Sequence, residues 1–217
     1  MVKDNRQFCD LTDRQDTFER IFRAALASLV ADLADCPWFV REREVVNLFV
    51  FGHLTPQFQK EHLDITQIGI EFPLQKFHDG DAKEKPGSAA DLIVWPHTKA
   101  TLWRRCKPLV RIEWKHISCR NDSKGISEHR KDIRFLKRNT KFAVLSYAVL
   151  TKWQDGHLSL LCDKVTHSGP DPFFSDSVKT TCDHTHMRSL LHMYEKMMAQ
   201  TPNCRQCVKR KNVKASL

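Results

Sequence analysis

The run LVRIEWKH at 109–116 sets Glu113 and Lys115 two residues apart, alternating with Val110, Ile112 and Trp114. Successive side chains of an extended strand point to opposite faces, so the carboxylate and the ammonium lie on the same one. Asp91 opens another apolar run, DLIVW, 113 − 91 = 22 residues earlier, which leaves room for one strand, a loop and part of the next strand. If these strands are neighbours, two carboxylates and an ammonium reach one point. Carboxylates converging at a sheet edge repel unless a cation sits between them, and a hard divalent ion with oxygen ligands suits that role. Such an ion holds a phosphate oxygen, lowers the pKa of a bound water and stabilises the leaving oxygen, while a lysine orients or deprotonates the water. The chemistry expected is phosphodiester hydrolysis. A surface ion pair on a half-buried strand yields the same triplet with no reaction, and Asp91 could equally end the KPGSAAD loop.

Positioning these groups takes a sheet with helices on it. From Asp16 onward Phe18, Phe22, Ala25, Leu29 and Leu33 recur at spacings of three and four. That predicts a helix ended by Pro37, with Asp16 and Glu19 as its N-terminal capping pair. FVREREVVNLFVFGHL reads as a second helix, with a strand as the alternative because of its Val and Phe content. IGIEFPLQKF and AADLIVWP read as strands joined by the loop HDGDAKEKPGS, and LVRIEWKH is the third strand. ISEHRKDIRFLKRNT follows as a helix capped by Ser127, then KFAVLSYAVLTKW as a long buried strand, with HLSLLCDKVT paired beside it across the turn at Asp155-Gly156. HSGPDPFFSD is expected as a loop, HMRSLLHMYEKMMAQ as a helix and CRQCVKRKNVKASL as a basic end. The order points to the α/β class: a mixed central β-sheet flanked by helices, with a C-terminal helical extension. The expected division is a domain at 1–165 and an extension at 166–217.

Asp91 followed by Glu113-Trp114-Lys115 resembles the PD-(D/E)xK nuclease superfamily, and the predicted order of elements resembles its restriction-endonuclease-like core over residues 39–152. The resemblance implies Mg²⁺, for which Mn²⁺ can substitute, held by Asp91, Glu113 and the backbone carbonyl of Trp114. It implies attack by a water assisted by Lys115, leaving a 5′-phosphate and a 3′-hydroxyl. The residue before the Asp is Ala90, where the motif has Pro. Many members add a Glu from the first core helix, and REREVVNLF offers Glu42 and Glu44. Helical spacing does not choose: Glu42 shares a face with Val45, Val46 and Phe49, Glu44 with Leu48 and Phe51. The resemblance favours Glu44. After the motif, Arg130, Arg134, Lys137 and Lys141 recur at helical spacing opposite Ile133 and Leu136. A helix in that place often faces the nucleic-acid backbone in the family, which implies phosphate contacts to DNA or RNA.

The net charge of +9 and a pI near 9.2 favour an anionic partner, although 26 acidic side chains keep the surface mixed. At 41% hydrophobic and 28% charged, the composition argues against a disordered or fibrous chain. No apolar run approaches the length of a membrane span, and the opening MVKDNRQFCDLTDRQD is polar, so a cytoplasmic location without membrane contact is expected. The eight cysteines then read as free thiols. Cys182, His184, Cys204 and Cys207 have the residue types for a tetrahedral zinc site, but the single C-x-x-C pair and its non-standard partner half favour free cysteines. Two other classes compete with the nuclease: a silent nucleic-acid-binding or assembly module of the same fold, and a zinc-stabilised interaction protein. With no separate sequence-reading segment visible, a homodimer or a specificity-providing partner is the expected context.

Overall fold

Alternating and continuous apolar runs in the middle of the chain build a single six-stranded sheet. The computed structural model describes Leu11 and residues 14–35, 41–73, 89–98, 107–118, 122–154 and 156–180. Helix α1 spans Gln15–Asp35 and α2 spans Glu42–Leu48, continuing through a π-helical turn, Phe49–Leu54, into α3, Thr55–Lys60. Strands β1 (Ile68–Pro73), β2 (Ala89–Val94) and β3 (Val110–Ser118) precede helix α4 (Asp122–Arg138). Strands β4 (Leu145–Gln154), β5 (His157–Val165) and β6 (Pro170–Lys179) complete the sheet. Spatial order follows chain order, β1 to β6, and every neighbouring pair is antiparallel except β3 and β4. A parallel pair needs a crossover rather than a hairpin, and α4 supplies it.

Each face of the sheet takes its own cover. Val110, Ile112 and Trp114 of β3, with Tyr147 and Val149 of β4, join the large apolar core that holds Phe18, Phe22 and Leu29 of α1 and Val45 and Phe49 of the second helical segment. On the other face α4 lays Leu136 and Ile133 against Ala148 and Val165. Strand β4 is buried on both faces from Leu145 to Thr151, which explains its uninterrupted apolar run. The π turn has a local cause: Pro56 cannot donate to the carbonyl of Gly52, and Thr55 N–H bonds to the Val50 carbonyl five residues back.

The α/β class and the mixed sheet hold, and the second apolar segment is helical rather than extended. Four local expectations are corrected. The stretch expected as the loop HSGPDPFFSD is largely β6, so the sheet continues to Lys179, past the boundary placed at residue 165. Prolines at 170 and 172 are tolerated because β6 is an edge strand, and Phe173 anchors it against Phe22 and Tyr147 with ring centroids 5.7 and 4.9 Å apart. Helix α4 begins at Asp122, upstream of Ser127. The segment 140–142 is a 3₁₀ turn rather than the start of β4. Glu19 does not cap α1; its Oε1 accepts from Tyr147 Oη at 2.7 Å and Lys164 Nζ at 2.6 Å. The helix expected around HMRSLLHMYEKMMAQ lies outside the described residues.

Gly125 sets how closely α4 approaches the sheet. A Cβ placed there would lie 2.3 and 2.4 Å from Cγ1 and Cδ1 of Ile117 on β3. Gly125→Ala gains helix propensity of about 1 kcal/mol, and overpacking costs of about 1–3 kcal/mol oppose it. The expected outcome is a net loss of stability in urea unfolding that disappears when Gly125→Ala is made in an Ile117→Ala background, where the clashing atoms are gone.

Candidate active site

The ladder between β2 and β3 runs from Val94↔Val110 to Leu92↔Ile112 and stops there. One residue further the register would set Asp91 opposite Glu113. Instead Asp91 Oδ2 accepts the backbone N–H of Trp114 at 2.7 Å, so a side chain replaces a strand carbonyl where the two strands end their pairing. Trp114 is held from below as well. Its Nε1 donates to Thr151 Oγ1 at 3.1 Å, and its ring packs on Phe49 at 5.1 Å. The parallel ladder to β4 fixes the other edge of β3, with Trp114 opposite Val149. Trp114 is therefore positioned by three neighbouring elements, β2, β4 and the π-helical turn.

Lys115 sits at the centre of the polar cluster. Its Nζ donates to the Trp114 carbonyl at 3.0 Å and to Glu42 Oε1 and Oε2 at 3.2 and 3.3 Å, and it lies 3.6 Å from Asp132 Oδ2. The acid that the first core helix brings to the motif is thus Glu42, not the Glu44 favoured from resemblance. Glu44 is exposed and accepts the Arg41 N–H at 3.3 Å, serving the helix N-terminus. The helical phase decides: Val45, Val46 and Phe49 are buried and carry Glu42 inward, whereas Phe51, on the Glu44 side, is 68% exposed. Glu113 is turned toward Arg111, whose Nε donates to Oε1 at 2.8 Å and whose Nη2 completes the ion pair with the same oxygen at 2.8 Å. Arg111 is itself buried, with its guanidinium 4.5 Å over the Phe135 ring.

Burial and mutual repulsion push these acids toward the neutral form. Glu113 rises to about 8, chiefly through burial, with Asp91 adding to the effect and Arg111 opposing it. Asp132 rises to about 6, again through burial, with Lys115 opposing and Asp91 and Glu42 adding. Burial also raises Asp91 and Glu42. For Lys115 burial pulls downward, but Asp132, Glu42 and Asp91 together hold it above the ordinary lysine value. The cluster sets four carboxylates, Asp91, Glu113, Glu42 and Asp132, against two cations, Arg111 and Lys115, and burial favours the neutral form of the acids. Beside it, His129 of α4 is buried, with Nε2 3.7 Å from Asp163 Oδ2. Burial lowers its pKa most, with Asp163 opposing, and keeps it neutral. Asp163, Ala148 and Glu113 form one row across β5, β4 and β3, and the small Ala148 leaves room for this polar layer under α4.

The donor set fits a hard divalent ion. Asp91, Glu113, Glu42 and the Trp114 carbonyl offer only oxygen, and burial raises the three acids toward a neutral form that a bound cation would reverse. It is not a finished cage: among the described residues no three His, Cys, Asp or Glu side chains are gathered tightly enough to hold a metal. An ion would compete with Arg111 for Glu113 and with Lys115 for Glu42 and the carbonyl. Arg130, Arg134, Lys137 and Lys141 are all exposed, although Lys137 Nζ donates to the Ser168 carbonyl at 3.1 Å and Lys141 leans over Phe142. Cys182, His184, Cys204 and Cys207 lie outside the described residues. Two members of the cluster escaped sequence reasoning, Arg111 and Asp132. Asp132 had a signal: it sits within the apolar stripe of α4, three residues after His129 and four before Leu136. No helix among the described residues is long and apolar enough to cross a membrane. Set against family models, curated proteins and solved structures, the chain matches none.

The raised acids make stability depend on pH. Glu113 keeps its proton in the folded state up to about pH 8 but loses it near 4.5 when unfolded, so the native state binds more protons in between and stability falls as pH rises. His53 and His129, both lowered, oppose this only below the ordinary histidine value of 6.5. The clean window is therefore pH 7 to 8. Thermal melts of ion-free protein should show Tm falling across that window, and Glu113→Gln should flatten the slope.

Proposed function

We propose that this protein is a metal-dependent nuclease with a restriction-endonuclease-like core that hydrolyses phosphodiester bonds, in DNA before RNA. The observation that carries this reading is the convergence of Asp91, the Trp114 carbonyl, Lys115 and Glu42 where β2 and β3 stop pairing, with Glu113 alongside. The order of three antiparallel strands, a crossover helix and a parallel fourth strand supports the same reading. Asp91, Glu113 and the Trp114 carbonyl would hold Mg²⁺ or Mn²⁺, with Glu42 in the place of the helix acid. When bound, that ion supplies Lewis acidity at the phosphate and a more acidic water.

The chain's own residues do the rest. Lys115, half-buried and ringed by acids, stays protonated at neutral pH, so its part is to orient the attacking water and offset phosphate charge rather than to remove a proton. Glu42 fixes the ammonium from α2. The exposed Arg130 and Arg134 on α4 give the backbone of a nucleic acid sequence-independent anchorage. A second reading, a binding or assembly module without turnover, draws on a specific observation: Arg111 engages Glu113 and Lys115 engages the Trp114 carbonyl, so cations of the protein already occupy atoms a metal needs.

Cleavage of supercoiled plasmid and single-stranded DNA with Mg²⁺ or Mn²⁺ separates the two. Under the nuclease reading wild type cuts, while the folded Asp91→Ala variant does not and folded Lys115→Ala keeps only a residual single-turnover rate. Glu42→Gln should lose about tenfold or more, in line with loss of a positioned charged partner, whereas Glu44→Gln should stay within about twofold. An inert wild type that still binds DNA puts the silent module ahead. Arg130→Ala with Arg134→Ala should weaken DNA binding and shallow its salt dependence, by about two in the log–log slope if each holds one phosphate.

A further inference from the structure

We propose that Asp132 is a positioning residue for Lys115, receiving its ammonium from the crossover helix when a divalent ion draws on Glu42 and the Trp114 carbonyl. The inference rests on the nuclease reading above and deepens it. Lys115 Nζ makes its hydrogen bonds to two groups, Glu42 and the Trp114 carbonyl. Both belong to the oxygen set an ion would use, so its arrival weakens both anchors of the lysine. Asp132 comes from a different element, α4, which covers the opposite face of the sheet from α2. Its Oδ2 stands 3.6 Å from Nζ, just beyond hydrogen-bond reach, and this atom is buried with no hydrogen-bond partner. A buried carboxylate oxygen left unpaired beside a cation is costly unless some state of the protein uses it.

The surroundings hold Asp132 in place for that exchange. Leu136 and Ile133 pack α4 onto Ala148 and Val165, and Gly125 lets the helix start close against Ile117. His129, one turn earlier, is directed to Asp163 at 3.7 Å, which leaves Lys115 as the cation that Asp132 faces. Asp132 also differs from Asp91: Asp91 Oδ2 accepts the Trp114 N–H on the edge where β2 and β3 part, whereas Asp132 reaches the cluster from α4 through Lys115. It therefore acts through the lysine and not as a ligand.

The test compares wild type, Asp132→Asn, Asp132→Glu, Asp91→Asn, Lys115→Met and the Lys115→Met/Asp132→Asn double variant, each first shown to be folded by urea unfolding. Mn²⁺ affinity is read by titration calorimetry and single-turnover plasmid cleavage at saturating Mn²⁺. Asp132→Asn should leave the Mn²⁺ Kd within about twofold and lower the cleavage rate about tenfold, as expected for a misplaced catalytic side chain. Asp132→Glu should recover part of that loss, and the double variant should cut no more slowly than Lys115→Met alone. A Kd weakened as strongly as in Asp91→Asn would make Asp132 a ligand and overturn the inference. So would wild-type cleavage by Asp132→Asn, or a full additional loss in the double variant, and in each case the nuclease reading stands. A wild type that neither binds Mn²⁺ nor cuts overturns both.

Discussion

The bond from the Trp114 N–H to Asp91 Oδ2 is the constraint on which the site depends. A backbone donor on a buried strand must be paired, and here a carboxylate takes the place of a strand carbonyl. The substitution ends the β2–β3 ladder at Leu92↔Ile112 and brings Asp91 to the edge of β3. It leaves the Trp114 carbonyl, fixed by the indole on Thr151 and Phe49, beside Asp91 and the two acids that follow in space, Glu113 and Glu42. A regular ladder through Asp91 would have kept the strands paired there.

Around that bond the fold accumulates a charged layer that is expensive to keep. Taking an ion out of water costs several kcal/mol, on the order of what a domain has to spare, and replacing buried ion pairs by apolar groups often stabilises a protein. Yet Arg111 and Glu113 are almost fully buried, Asp132 and the His129–Asp163 pair lie on α4 and the strands it covers, and Lys115 links them to Glu42 and Asp91 at the parting of β2 and β3. Arg111 and Lys115 stand against four carboxylates, and burial holds Glu113 and Asp132 toward their neutral form. A layer of this composition contributes little to stability, which is the physical argument for assigning it a chemical role. Ala148 and Gly125 are the steric counterpart, two small positions that let α4 close over the layer.

Much of this was legible in the chain. The alternation in LVRIEWKH predicts that Glu113 and Lys115 share a face, from the period of a strand, and the 22-residue spacing leaves room for a strand and a loop that bring Asp91 beside them. The choice between Glu42 and Glu44 was not legible from resemblance, because it depends on which stripe of α2 meets the core; burial of Val45 and Phe49 against exposure of Phe51 decides it. Strand β6 was hidden by Gly169, Pro170 and Pro172, which punctuate most sequences as loops but are admissible on an edge. Asp132 went unseen because it is a charge within the apolar stripe of α4 whose partner, Lys115, comes from β3, and Arg111 because the alternation of β3 places it beside Glu113 without showing that both are buried.

The most direct test of the central claim, that the charged layer exists to hold a cation at the parting of β2 and β3, is anomalous diffraction from crystals of the protein grown with Mn²⁺. The account predicts an ion in contact with Asp91, Glu113 and the Trp114 carbonyl, with Glu113 withdrawn from Arg111 and Lys115 shifted toward Asp132. A Mn²⁺-saturated crystal with no ion at these residues, and Arg111 still clamped on Glu113, would contradict it and leave the layer a purely structural feature.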